Sequence, residues 1–479
     1  MNSISRTQST INLTEPAPLH SVTRAAIDGS LRFPMALWVR GSVFWLLVGS
    51  LLSLVAAFKL VVPSFLDGPS FLTYGRLFPV ATDLLLYGWA TQLGIGVSLW
   101  LMARLCGSPL RHTSLLTCAI ILWNVAIFLG SLAILCGYST SVEWLEYPNW
   151  ASFLLFLSFL LIGVWVVLLF SVRQSCVLYV SQWYLLAAFC SFPWIYATAN
   201  RLLTWGVIEG SAQGPIHWWY GGNLINLWFT PLALGLGYYI IPKITGGIIA
   251  NYYLAILGFF SLLLFAAWSG SAALIGGPIP AWMMSAGVVA TVLMMIPMVA
   301  VVLNFYKMLQ GHYVAIVESP ALRFTVVGII SYIIFTTLSF FNAIPSFNAT
   351  LHFTDYTSGR TMLALLGFLS MILFGAIYYI LPRLTGIEWP SSSLIRWHFW
   401  LATVGVSLMI FSMIFGGVIE GIALEDAAIS FVNVLSYAAP WRWLVVFSWI
   451  LLLFSYGAFA RLLLTMRWEA ASLQFKYKV

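Results

Sequence analysis

The chain has 479 residues, of which 61% are hydrophobic and 7% are charged, and its mean hydropathy is +0.96. A soluble protein of this size could not bury so much apolar surface, so the composition predicts an integral membrane protein. The formal net charge of +7 fits basic loops beside anionic lipid, and we expect no binding of nucleic acid.

Residues 1–36 are rich in Ser and Thr and have no apolar signal-peptide region, so they predict a polar cytoplasmic tail. Between residues 37 and 463, twelve apolar stretches of about 20 residues are each long enough to cross roughly 30 Å of hydrocarbon as a helix. Residues 464–479 predict a basic cytoplasmic tail. The twelve helices are centred on Leu51, Leu93, Val125, Leu160, Leu186, Pro231, Leu262, Val292, Tyr332, Met371, Met409 and Leu451.

The distribution of Lys and Arg predicts the orientation of the helices. An even number of helices places both termini on one side of the membrane. Sixteen Lys and Arg residues then lie on the side of the termini and five on the other side. Because basic residues concentrate in cytoplasmic loops, we expect a multi-pass protein of the cell inner membrane with both termini in the cytoplasm.

Three predicted helix ends are similar in sequence: LMARLCG ends at Gly107, YYIIPKITG at Gly246 and YYILPRLTG at Gly386. The glycines are 139 and 140 residues apart, and each ends the second helix of a group of four. This spacing predicts three quasi-equivalent four-helix arcs in which helices 2, 6 and 10 are equivalent. The alternative is that a basic end followed by Gly is ordinary for a membrane helix.

Six segments carry a resemblance to a known family. They are YGRLFP before helix 2, GYSTSVEWLEYP after helix 3, WWYGGN at the start of helix 6, PAW before helix 8, and LHFTDYT leading into YYILPRLTG in helix 10. From about Leu37 to Leu463 the chain resembles the catalytic subunit I of the haem-copper cytochrome c oxidases, in particular the C-type (cbb-type) branch. The resemblance implies an all-α membrane fold of twelve helices in three four-helix arcs.

The same resemblance implies a set of histidine ligands for copper and two haems, because neutral imidazole is the usual protein ligand for both metals. The matching positions hold other residues, and the tyrosine that the family links to a copper ligand falls at Ala266. We therefore predict a divergent homologue without haem, copper or catalytic residues. The positions that match lost ligands are Ala81, Gly222, Ala272, Ala273, Arg360 and Met362.

Met362 is the only one of these residues that could bind iron. It would need a second ligand opposite it on helix 2, where Ala81 offers none. A Met at helical spacing in an apolar helix more commonly fills space in the core.

The six histidines do not replace the missing ligands. No two are expected to face each other at one depth, as a haem with two imidazole ligands requires. The segment HWWYGGN instead predicts an aromatic belt at the membrane interface, with His217 as a hydrogen-bonded surface residue. The other five are His20 in the first tail, His112, His312 and His398 near cytoplasmic helix ends, and His352 before helix 10.

Two charges within predicted membrane helices need a partner, because an unpaired charge there costs on the order of 3 kcal/mol. Asp83 lies near the outer start of helix 2, and Arg360 starts helix 10. One hypothesis joins them in an ion pair between these helices. The alternative is that Asp83 caps helix 2 with Thr82 while Arg360 extends to the outer surface. Arg442 is expected to anchor the outer end of helix 12.

Acidic residues mark two predicted outer loops. Glu143 and Glu146 match an acidic loop of the family, for which the resemblance implies subunit contacts, cations or proton exit, and a solvated loop is the alternative. The second loop predicts a solvated surface or a contact with a basic partner such as a cytochrome c. Its acidic residues are Glu420, Glu425 and Asp426.

Three functions are compatible with the sequence. The first is a cofactor-free subunit I-like protein with a structural or docking role beside other membrane or cytochrome c-type respiratory subunits. The second is a working cbb-type terminal oxidase that holds haem b and copper and reduces oxygen with electrons from cytochrome c. The third is a transporter or channel that reuses the vacated cofactor cavity. Because function depends on the site rather than the fold, the missing ligands favour the first.

Overall fold

A computed structural model describes residues 21–174, 177–206 and 208–466, and long helices dominate it. Short helices connect some of them, including Tyr313–Glu318 and Pro345–Leu351. In chain order the long helices are α1 (Ser21–Val61), α2 (Tyr74–Cys106), α3 (Thr113–Leu135), α4 (Asn149–Ser171), α5 (Val180–Asn200), α6 (Gly210–Thr245), α7 (Tyr252–Leu274), α8 (Ala281–Leu309), α9 (Pro320–Ala343), α10 (Asp355–Thr385), α11 (Ser392–Glu425) and α12 (Phe431–Thr465).

The all-helical membrane fold is confirmed, but the count of twelve membrane spans is not. Among the described residues, eleven helices are long and apolar enough to cross a membrane, and α5 is not one of them. The predicted fifth helix does form, over 21 residues. Polar side chains such as Gln182 and Asn200, both buried, reduce its apolar character.

The first helix begins earlier than predicted. Its residues Ile27, Leu31 and Met35 are buried in the core, so part of the predicted tail belongs to the folded domain. The boundary predicted at residue 36 therefore falls inside this helix, which the structure describes from Ser21 onward. Residues 1–20, with His20, and residues 467–479 of the second predicted tail lie outside the described part of the chain.

Three helices form the centre of the bundle. The most apolar stretches of α2 and α10 are completely buried, and that of α6 is 89% buried, whereas no other membrane-spanning helix exceeds 50%. These three helices contact one another, and α12 packs against α1, so the first and last helices close the outer layer. The predicted equivalence of helices 2, 6 and 10 is thus visible in their shared central position.

The backbone repeats the same departure from α-helical geometry in each central helix. A π-helical segment begins at Leu84 in α2, at Leu224 in α6 and at Leu363 in α10. In the last two, a hydroxyl at the end of the segment donates to a carbonyl five residues earlier, Thr230 to Ile225 at 2.9 Å and Ser370 to Leu365 at 2.7 Å. π-Helical segments within α-helices are common near functional sites.

Aromatic side chains at equivalent positions of the repeat meet on the central axis. The ring centroids of Trp100, Tyr239 and Tyr379 are 5.9–6.4 Å apart in edge-to-face arrangements. Each central helix then ends at a Gly in the left-handed conformation, with φ of 66°, 72° and 72° at Gly107, Gly246 and Gly386. We call this side of the bundle the glycine-capped end and the other side the opposite end.

Candidate functional site

A cavity of about 80 Å³ lies between α6, α7, α8, α9 and α10. Four of the positions predicted from the resemblance to have lost ligands line it together, namely Gly222, Ala272, Ala273 and Arg360. These residues come from three separate parts of the sequence, and the fold brings them to one place. The cavity also has polar walls, formed by Asn226, Ser269, Thr291, Thr336, Ser339, Asn342 and Thr361.

Residue 222 has no space for a side chain. A Cβ atom there would lie 2.6 Å from Cα and 2.9 Å from N of Gly270, which are backbone atoms that cannot turn aside. A Cβ at Gly270 would in turn meet the backbone carbonyl oxygen of Trp218. The two glycines therefore let α6 pack directly against the segment Gly270–Leu274, and an imidazole at residue 222 would force these backbones apart.

Arg360 is the charged residue of the cavity wall. It takes part in none of the three ion pairs found among the described residues, and no described acceptor binds its guanidinium. Its positive charge acts on His352 in the preceding loop. Burial lowers the pKa of His352 below its ordinary value, and the nearby charge of Arg360 lowers it further.

The remaining positions predicted to have lost ligands lie away from this cavity. Met362 is buried and borders a separate space of only about 20 Å³, together with Thr82 and Phe368. Ala81 in α2 is buried in the core. Ala266 is also buried, within α7, and does not line the main cavity.

The ion pair predicted between Asp83 and Arg360 is not formed. Asp83 is fully buried inside α2, and apart from the carboxyl group of Glu146 no described group forms a hydrogen bond with its carboxylate oxygens. The capping alternative is also wrong, because α2 begins nine residues earlier, at Tyr74 after Thr73. Sequence reasoning placed Asp83 at a helix start, whereas the helix extends further toward the opposite end.

Asp83 instead faces the carboxyl group of Glu146. Glu146 is only 5% exposed, so the solvated-loop alternative is wrong for this residue, while Glu143 is exposed. Burial raises the pKa of Glu146 to about 8; hydrogen bonds from backbone N–H groups and to Asp83 offset only part of this rise. Two carboxylates in contact repel each other, so the pair is expected to share a proton near neutral pH.

Buried tyrosines surround this carboxyl pair. The Tyr87 hydroxyl donates to the backbone carbonyl of Trp144 and lies 2.6 Å from the Tyr220 hydroxyl. Because Tyr87 has only one proton to donate, Tyr220 donates to Tyr87. Tyr147 and Tyr196 are also fully buried and lie close enough to Asp83 to interact electrostatically with it.

A second charged cluster lies at the opposite end, and the sequence did not predict how its residues pair. Arg442 in α12 pairs with Asp355 and with Glu420, both at 3.0 Å. Glu420 also accepts a hydrogen bond from the backbone N–H of Asp355 at 3.1 Å. Because Glu420 is 7% exposed, the prediction of a solvated acidic run is wrong at this residue. The cluster joins α10, α11 and α12, which are consecutive in the chain.

Comparison with known proteins decides the family. The family model described as Cytochrome C and Quinol oxidase polypeptide I matches residues 34–453. The chain belongs to this family. The suspected relationship to cytochrome c oxidase subunit I is thereby confirmed.

Curated relatives of this subunit I-like protein include cbb3-type oxidases. It is 28% identical over 420 residues to the Cbb3-type cytochrome c oxidase subunit CcoN1 of Stutzerimonas stutzeri, covering 83% of this chain and 87% of the relative. It is also 28% identical over 406 residues to cytochrome c oxidase subunit 1 of Rhodobacter capsulatus, covering 81% and 75%. A solved heme-copper terminal oxidase dimer has the same fold, with a TM-score of 0.71 at 16% identity over 93% of this chain and 84% of that chain.

The residues of this subunit I-like protein do not fit the metals that the fold family implies. Gly222, Ala272 and Ala273 offer no lone pair, and the guanidinium of Arg360 would repel a metal cation. Within the described residues, no group of three or more His, Cys, Asp or Glu side chains could hold a metal ion. The space beside Met362 is far smaller than the roughly 300–1,000 Å³ typical of cofactor sites.

Two of the histidines that the structure describes, His217 and His398, have hydrogen-bond partners within the protein. His398 is fully buried, with Nδ1 2.8 Å from the Tyr378 hydroxyl and its ring stacked on Phe459. Nε2 of His217 lies 3.2 Å from the backbone carbonyl of Glu143. His217 is therefore a hydrogen-bonded residue of the opposite end, as the sequence predicted.

Proposed function

We propose that this subunit I-like protein is a cofactor-free, non-catalytic subunit with a structural or docking role in a respiratory complex. One observation carries the proposal: four positions expected to bear ligand histidines meet at a single cavity and hold Gly222, Ala272, Ala273 and Arg360. The close approach of Gly222 to Gly270 supports the same conclusion, because the backbone there has adapted to the absence of a side chain.

The proposed partners are other membrane subunits or c-type cytochrome subunits. The names of the relatives support this assignment, because they describe subunits of cytochrome c oxidases. The proposed location is the cell inner membrane with both termini in the cytoplasm, as the excess of basic residues on one side favours.

Spectroscopy of the purified chain tests the absence of cofactors. We expect a blank reduced-minus-oxidised absorption spectrum, no pyridine haemochrome and no stoichiometric copper from the detergent-purified protein. The Stutzerimonas stutzeri relative, expressed in the same host and purified in the same way, serves as the control for cofactor loading. One b-type haem per chain would overturn the proposal.

The docking role needs its own test in the native host. Deletion of the gene should lower the amount of an assembled respiratory complex on native gels, and expression of an Arg360→Gln variant should restore that amount. If the chain were catalytic, the strain that expresses Arg360→Gln would assemble the complex but lose its oxygen consumption. That second function, a working terminal oxidase, is favoured only by the names of the relatives.

A further inference from the structure

The cavity at Arg360 combines a positive charge with a partly enclosed space inside the helix bundle. Its guanidinium has no acceptor among the described residues, although a charge without a partner is costly in a membrane helix. Asp83, the acidic residue expected to balance it, instead faces Glu146. The charge of Arg360 therefore calls for an anion that the described chain does not provide.

The shape and chemistry of the cavity limit what that anion can be. A volume of about 80 Å³ holds several water-sized groups but is well below the roughly 300 Å³ of a drug-sized ligand site. Arg presents parallel N–H donors in a plane, which match the two oxygens of a carboxylate-like group. Small planar oxyanions fit this volume and can accept both parallel N–H donors of Arg360.

A second polar group on the cavity wall points the same way. Asn342 is 5% exposed, and its side-chain oxygen has no hydrogen-bond donor within the described structure. A buried acceptor without a donor costs about 1–3 kcal/mol. An oxyanion that also carries an O–H group would satisfy this oxygen while its charged oxygens face Arg360.

We propose that this cavity binds a small planar oxyanion of the carboxylate or hydrogencarbonate class, held by the guanidinium of Arg360. Such a ligand places an anion where the fold family implies a metal. The inference rests on the cavity lining and goes beyond the proposed structural or docking role, which stands or falls separately.

Titration of the purified full-length protein with sodium formate tests the site. We expect saturable binding by isothermal titration calorimetry at constant ionic strength, with a change in tryptophan fluorescence because Trp144 and Trp218 line the cavity. The Arg360→Gln variant should bind at least about tenfold more weakly, since the charge-assisted hydrogen bonds are lost. Arg360→Lys should bind with intermediate affinity, because it keeps the charge but not the planar fork.

Two further variants keep the result interpretable. Ala273→Leu fills the cavity while leaving Arg360 intact, so it should abolish binding even if Arg360→Gln does not fold. Arg201→Gln removes an exposed charge beyond α5 and should leave the affinity within about twofold. Absence of saturable binding in the unmodified protein, or unchanged affinity in Ala273→Leu, would overturn the proposal.

A comparison of two anions separates the members of the class. Hydrogencarbonate has an O–H group for Asn342 and formate has none. An Asn342→Leu variant that loses only hydrogencarbonate binding assigns the natural ligand to the protonated oxyanions. If it keeps both affinities, the ligand is a simple carboxylate held by Arg360 alone, and the site stands. Chloride binding as tightly as formate would contradict the planar geometry and overturn the oxyanion assignment.

Discussion

Glu146→Gln should remove the part of the pH dependence of stability that Glu146 contributes to the buried carboxyl pair. In the unfolded chain Glu146 releases its proton near its ordinary pKa of 4.5, whereas in the folded protein the pKa is about 8. Between these values the folded state binds more protons than the unfolded state. Stability from this residue is therefore fully present below pH 4.5, falls as the pH rises, and is lost above pH 8.

The size of the effect follows from the two pKa values. At roughly 1.4 kcal/mol for each tenfold change in proton affinity, the complete loss is about 5 kcal/mol. Local opening of the loop, which would admit water to the carboxyl group, makes this figure an upper bound. Gln cannot ionise and can donate a hydrogen bond to Asp83, so the variant should gain stability relative to the unmodified protein as the pH rises.

Unfolding of the detergent-solubilised protein by sodium dodecyl sulfate, followed by tryptophan fluorescence from pH 5 to pH 9, measures this difference. Glu209→Gln is the matched control, because Glu209 is an exposed carboxyl group just before α6 at the same end of the bundle. Its profile should follow that of the unmodified protein. Parallel profiles for the unmodified protein and Glu146→Gln across this range would refute the reasoning.

Three further substitutions test the packing and charge contacts, all by the same unfolding measurement. Arg442→Gln leaves two partly buried carboxylates without a cation and should cost about 3 kcal/mol, while a loss below 1 kcal/mol would indicate a solvated cluster. Gly222→Ala should destabilise by about 1–3 kcal/mol through its backbone clash, whereas Gly457→Ala, which meets nothing within 4 Å, should be neutral or stabilising. Trp89→Phe loses a 2.8 Å hydrogen bond to a buried hydroxyl and should cost about 1 kcal/mol; Trp268→Phe, at an exposed position, should cost less.

The three-fold repeat extends to side-chain hydrogen bonds between the central helices. Nε1 of Trp89 in α2 donates to Ser370 in α10, and Nε1 of Trp228 in α6 lies 3.4 Å from the Thr91 hydroxyl in α2. The equivalent residue in α10 is Phe368, which has no donor. The third of these hydrogen bonds between central helices is therefore not formed at Phe368, which borders the same small space as Met362.

The sequence alone determined the class of the protein and its internal repeat. An apolar helix must satisfy its own backbone hydrogen bonds in a bilayer, so span length and composition predict most helices without tertiary information. The order of the motifs identified the family. Four of the six positions that the sequence matched to lost ligands line one cavity in the structure. The helix ends at Gly107, Gly246 and Gly386 were predicted correctly, because helix termination by Gly depends on local sequence.

Only the tertiary structure decided the partners of the charges. Asp83 was expected to meet Arg360 but lies against Glu146, and Arg442 was expected to anchor a helix but joins two carboxylates. An electrostatic pair depends on rotation and depth of separate helices, and a shift of one residue turns a side chain by about 100°. Such distances are fixed by packing between helices that are far apart in the chain. The sequence therefore names the ionisable residues, and the fold alone decides which of them face each other.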